Sequence, residues 1–389
     1  MFWKYFLFET KLLLHNRKNA LLGIIIMLFF PLFYNYYSGT QPETLIDQKR
    51  TEGERMYSIL NQLPDNLEGT PEGEEVYQHI TKQASLVNMQ VYYLSEKGEM
   101  DEEYIRDGLL LNELRMRVHE LGNIGIPENL ITPIDEILSE DARLRYIEEH
   151  DLTIMTDPFA SSNYLVVAFQ TLSGILFFLF VLLYASEIVV YERLHHSVMN
   201  GFPLAFMKRI HSKVILYFIH LFMFLVIGIV LGGYFAYKDS GSFGDFSYPI
   251  LIMNNGEYTF ISTMTYIGIS VLMLAIITVL VLYLSVFMNL LFKNAYTNIL
   301  VGLGLFILPD ILSAVGLEIS LLNPIKYLDY SKVLSGVFAK DWENALVDYG
   351  HAIFWLFIVT GLIISVIYIK NKWPYVQKKK NLFVKRGME

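Results

Sequence analysis

The sequence predicts an all-α polytopic membrane protein with six transmembrane helices, an N-terminal interfacial helix and a helical extracytoplasmic domain. Three observations predict it. The apolar residues, 53% of the 389, fall in blocks of about twenty, the length that crosses ~30 Å of hydrocarbon. Soluble domains carry about 45–50% and scatter it. Charge divides sharply: residues 38–162 hold 26 acidic and 10 basic side chains, a net of −16, so the remainder carries +7 against −9 for the whole chain. Such a split means two environments rather than one acidic protein. Within the acidic stretch the apolar residues keep a helical period almost throughout.

Taken in order, residues 1–19 read as an amphipathic interfacial helix. Phe2, Trp3, Phe6 and Leu13 can share a face, and Lys4, Lys11, Arg17 and Lys18 supply charge suited to headgroups. A plain basic flank to the first span is the alternative. Residues 20–37 are that span. No small-x-small cleavage site follows, only Tyr34, Tyr36 and Tyr37, so a retained span with an aromatic belt is expected rather than a removed signal peptide.

Residues 38–162 form the acidic domain, with helices expected near 43–62, 73–95, 101–121 and 133–150. Val76, Ile80, Ala84 and Val87 make one stripe; Ile105, Leu109, Leu110 and Leu114 make another. Asp101 reads as an N-cap, and Thr132-Pro133 as another start. Met89 to Leu94 is β-prone and ambiguous, but no alternating run demands a sheet. The charge reads as a solvated face, or, more sharply, as a surface for cationic partners.

Five further spans are expected at 163–186, 212–236, 260–288, 295–316 and 349–369. The fourth span, 260–288, is long enough to tilt. Residues 187–211 form an amphipathic crossing segment with Gly201-Phe202-Pro203 in its middle. Residues 317–348 hold apolar runs too short to span, read as re-entrant or interfacial helices or as a surface helical hairpin. Residues 370–389 are a basic tail. Lys and Arg number four before the first span, four in 187–213 and seven after Ile369, but only Lys238 lies in 237–258. By the positive-inside rule both termini and the crossing segment are cytoplasmic, and residues 38–162 lie outside.

The sequence holds little chemistry of its own. Zero cysteine excludes disulfides, Cys-zinc sites and thiol catalysis. There is no phosphate-cradling glycine loop, zinc-protease helix motif or nucleophile elbow, so no catalytic, cofactor or metal site is expected. His195-His196 point ~100° apart on a helix and chelate poorly. His220 is placed to hydrogen-bond another helix or, as a pathway candidate alongside Pro309, Asn323 and Pro324, to carry protons. Asp310 lies about 22 Å along its span from Ala295, after Pro309, which is expected to break the helix. Either Asp310 serves a pathway or gate, as intramembrane carboxylates do, or it marks a helix end. Glu187, Glu192 and Arg193 read as a polar anchor for the crossing segment, or as an ordinary charged flank.

These features resemble the ABC-2 type ABC transporter permeases, in the branch with a large extracytoplasmic domain between the first and second spans. The acidic-basic pair Glu192-Arg193, the crossing helix with Gly201 and Pro203, then Arg209 and Lys213 match the family's coupling segment; Asn323-Pro324 before Tyr327 matches its motif ahead of the final helices. Leu194 and His195-His196 stand where the family often has a further acid and Gly-Thr. The resemblance implies the membrane subunit of an exporter with no ATPase site of its own. Two partner ATPase subunits would bind ATP and Mg and dock on the crossing helix, and a second permease copy, identical or paralogous, would complete the pathway. The aromatic, apolar spans suit an amphipathic or hydrophobic cargo: a peptide antibiotic or toxin, a lipid or a drug. No nucleic-acid partner is implied. Sodium efflux by a member of the same family, or a membrane sensor or scaffold with a ligand-binding outer domain, are the alternatives.

Overall fold

A computed structural model of the chain describes residues 2–64, 69–96, 99–190, 192, 204–292, 294–317, 319–342, 344 and 346–386, with side chains as far as 371. The protein is predominantly helical. The N-terminal stretch divides at Asn16, whose side-chain oxygen accepts from the N–H groups of Lys18 and Asn19. This cap ends α1 (Phe2–His15) and starts α2 (Arg17–Gly39), which runs on through Pro31.

Four helices build the acidic domain: α3 (Leu45–Gln62), α4 (Pro71–Ser95), α5 (Asp101–Glu120) and α6 (Ile134–Glu149). All lie within a few residues of the expected positions. A capping box between Thr44 and Asp47 starts α3, and Thr70 caps α4. Val76, Ile80, Ala84 and Val87 are buried as one stripe, and Met89 to Leu94 is helical. Asp101 is the first helical residue rather than the cap, which is Met100; its carboxylate instead accepts the N–H of Ile154 at 2.8 Å.

The expected second span is not one straight helix. It is α7 (Ser161–Leu172) and α8 (Ile175–Ala185), bent by 65° at Ser173-Gly174. Gly174 sits at φ +72°, ψ −136°, a conformation essentially reserved for glycine. α9 (Phe206–Ser240) absorbs the end of the expected crossing segment and the whole third span into 35 continuous residues.

Next comes a β-hairpin absent from the sequence expectation. β1 (Pro249–Asn254) pairs antiparallel with β2 (Glu257–Ser262). Asn255 and Gly256 both have positive φ, 52° and 84°, as a two-residue type I′ turn requires. The hairpin touches α6 of the acidic domain and α10 (Thr263–Leu291) of the bundle. α11 (Ala295–Ala314) follows. It continues through Pro309 instead of breaking there. The ring removes only the bond to the carbonyl four residues back, a loss that membrane helices tolerate. The described residues of 317–348 form short turns of helix, among them α12 (Asn323–Lys326), α13 (Tyr330–Leu334) and α14 (Val337–Asp341). α15 (Tyr349–Arg386) is the last helix and carries on into the basic tail.

Five helices are long and apolar enough to cross a membrane (α2, α9, α10, α11 and the first part of α15), and six if the bent pair counts as one. α10 is the most enclosed of the five. α9 packs closely on α2 through Gly228 and Gly232. A Cβ at Gly228 would lie 2.8 Å from the Met27 carbonyl oxygen, and one at Gly232 would lie 2.6 Å from Phe30 Cβ. This small-xxx-small spacing lets two backbones approach.

Candidate functional site

Two polar sites are built into the apolar bundle. The first lies at the end remote from the acidic domain, where α8 stops. Ser186, Glu187 and Glu192 there are joined to helices distant in sequence. The Ser186 carbonyl accepts from Asn289 of α10 at 3.0 Å and from Asn298 of α11 at 3.3 Å. Lys18 of α2 donates to Ser186 Oγ at 2.9 Å and pairs with Glu187 at 3.3 Å.

Glu192 then meets α9. Arg209 Nη2 lies 2.8 Å from Glu192 Oε1, and Lys213 Nζ lies 3.8 Å from Oε2. Lys213 also pairs with Glu9 of α1 at 3.0 Å. Tyr5 sets its hydroxyl beside Glu9, which, after burial, holds the phenol well above its ordinary range. Glu9, Glu192 and Lys213 are all no more than 6% exposed. Two acids and two bases make the cluster neutral, which is the condition for keeping charge out of water. A buried pair of this kind adds little net stability, but losing one member strands the other. What the arrangement does is fix α1, the end of α8 and the start of α9 in one register.

Of the residues matched to the coupling segment, Glu192, Arg209 and Lys213 are brought together. Glu9 was not anticipated as a member. Arg193, Gly201 and Pro203, with His195 and His196, lie outside the described residues.

The second site is the break between α7 and α8. Asp329, in the turn between α12 and α13, reaches it. Ser173 Oγ donates to Asp329 Oδ1 at 3.0 Å and accepts from the Ser331 N–H at 3.0 Å. The Tyr330 hydroxyl donates to the Phe169 carbonyl at 2.7 Å. A Cβ at Gly174 would meet the Asp329 carboxylate at 3.0 Å. Asp329 therefore stands at the N-terminus of α8, where orphan N–H groups and the helix dipole favour an anion. Its cation is Lys332, 3.4 Å away. Asp329 is half-buried there and Lys332 exposed, and the break lies about 18 Å along α7 from Ser161.

The remaining expected residues are scattered. His220 is buried and its Nδ1 lies 2.6 Å from the Tyr184 hydroxyl of α8, an interhelical bond as anticipated. Asp310 is exposed on α11 and makes no hydrogen bond or ion pair among the described residues. Pro309, Asn323 and Pro324 line a cavity of about 480 Å³ between α11, the short turns and α15. Asp310 does not line it. Among the described residues no group of three or more His, Cys, Asp or Glu could hold a metal ion. No protein-family model, no curated protein and no solved structure matches the chain.

Proposed function

We propose that the chain is the membrane-spanning permease subunit of an ATP-driven exporter of the ABC-2 type. It moves an amphipathic or hydrophobic cargo outward from the bilayer, powered by two separate ATPase subunits, with a second permease copy completing the pathway. In this reading both termini and residues 187–211 are cytoplasmic and residues 38–162 lie outside the cell membrane. One observation carries it: the neutral, buried Glu9–Lys213–Glu192–Arg209 cluster at the root of the crossing segment. A push delivered to that segment by a docked ATPase would move α1, α8 and α9 together, because their charges cannot separate without being stranded. Binding of nucleotide then favours one of two packings of the bundle.

Co-purification with the products of neighbouring genes tests this. A soluble chain with a phosphate-binding loop should be retained in equal numbers with the permease. Glu192→Lys should leave ATP hydrolysis running while cargo export stops. Retention of no ATPase, or full export by the variant, would remove the reading.

The break at Ser173-Gly174 favours a second reading, cation efflux by a permease of the same family. Interrupted membrane helices and intramembrane carboxylates are where transporters hold ions. Sodium efflux from vesicles that is abolished by Asp329→Asn would support it; no sodium flux in the native protein would exclude it.

A further inference from the structure

The 480 Å³ cavity beside α11 is within the size range of small-molecule sites. Its shape is a trough along one face of α15. His351, Trp355, Ile358, Val359 and Leu362 line it at helical spacing, over about 16 Å from His351 to Leu362. The opposite wall is Pro309, Leu312 and Ser313 of α11. α11 is the least enclosed of the candidate spans, and Ser313 and Leu362 are exposed, so the trough opens toward lipid rather than into the bundle.

Its upper end, on the side of the acidic domain, is polar. Lys326, Asn344 and His351 lie there, and Lys326 Nζ stands 5.5 Å from the centre of the Trp342 ring. Among the described residues Lys326 makes no ion pair and no carboxylate lines the cavity. Trp342 and Trp355 both line the cavity, and amphipathic rings of this kind are enriched at membrane surfaces.

We infer that this trough is a binding site for an anionic lipid, with one acyl chain against Trp355, Val359 and Leu362 and the headgroup phosphate at Lys326. Apolar walls of one-leaflet length explain the chain, and a lysine with no ion pair among the described residues explains the sign of the headgroup. The inference depends on the chain being a membrane protein and not on the export reading, so an ATPase-free preparation suffices to test it.

The protein has four tryptophans. With Trp3→Phe and Trp373→Phe, only Trp342 and Trp355 fluoresce. This chain is placed in phosphatidylcholine vesicles containing about 20 mol% phosphatidylglycerol, with bromine on the acyl chains of one lipid at a time. Brominated phosphatidylglycerol should quench about fivefold more per molecule than brominated phosphatidylcholine, the preference one lysine gives for an anionic headgroup. Lys326→Gln should abolish that preference, and Ser313→Phe, which fills the trough from an exposed position, should abolish the quenching. Soluble glycerol phosphate should not displace the lipid. Equal quenching by the two lipids, a preference that survives Lys326→Gln, or displacement by glycerol phosphate alone would overturn the inference. So would a Leu362→Cys disulfide between two copies, which would put a second chain in the trough.

Discussion

Lys213 is the side chain whose loss should be felt most widely. Replacing it by Met leaves Glu9 and Glu192 facing each other with only Arg209 between three helices, and loss of one partner from a buried pair costs about 3–5 kcal/mol. Thermal unfolding in detergent should fall accordingly. Adding Glu9→Gln to Lys213→Met should recover part of the loss, a non-additivity that a double-mutant cycle reads directly. Gly232→Leu tests a different kind of residue. Its side chain would have to enter space held by Phe30 Cβ and the Tyr164 hydroxyl, so α2 and α9 should part and the protein should lose on the order of 1–3 kcal/mol. Glu192, Arg209 and Lys213 were legible in sequence because they flank apolar blocks. Glu9 was not, since in an amphipathic helix an acid reads as part of the solvated face. Asp329 was hidden by distance: its partner Ser173 is 156 residues away, and a carboxylate in a polar connection carries no local mark of such a contact. Asp310, a pathway carboxylate or a helix-end residue by its spacing, is exposed on α11 and does not line the cavity beside it.

Among elements, long apolar or strongly periodic helices were the legible ones, and the interruptions were not. The four helices of the acidic domain fall where periodicity put them. The hairpin had its signal, Asn255-Gly256 between two β-prone runs, overlooked because the loop was read only for its charge. The bend at Gly174 had a weaker one, a Ser-Gly inside an apolar block. Gly174→Ala should oppose that bend, because φ +72° is unfavourable for any residue with a Cβ. Spin labels at the start of α7 and the end of α8 would measure it against a cysteine-free background. Arms of about 18 and 16 Å meeting at a 65° bend should lengthen end to end by about 5 Å on straightening. An unchanged distance with native stability would show that the bend is set by packing rather than by the glycine.

At the scale of the whole molecule, the charge split seen in sequence corresponds to two differently built parts. The acidic domain does not only solvate its charge; it buries some. Glu52 pairs with Lys49 at 3.0 Å and with Arg115, and Arg143 makes a two-pronged bond to Glu140 at 2.7 and 2.8 Å. Burial, opposed by Glu140, depresses the Lys49 amine from its ordinary 10.5 to about 8. Between those values the unfolded chain holds a proton that the folded one has released, so the Lys49 contribution to stability rises with pH across the window. The rise is on the order of 1–3 kcal/mol. Urea unfolding of the domain should track it, and Lys49→Met should flatten it. The bent span has a consequence of another sort, in the order of assembly. Neither α7, with 12 residues, nor α8, with 11, reaches the length of about twenty that inserts as a span. The two must therefore enter the bilayer as one segment. The carboxylate that holds Ser173 at the bend belongs to a turn made 156 residues later. The bend is thus a late event of biogenesis, and a nascent chain released before Asp329 should hold its second span straight.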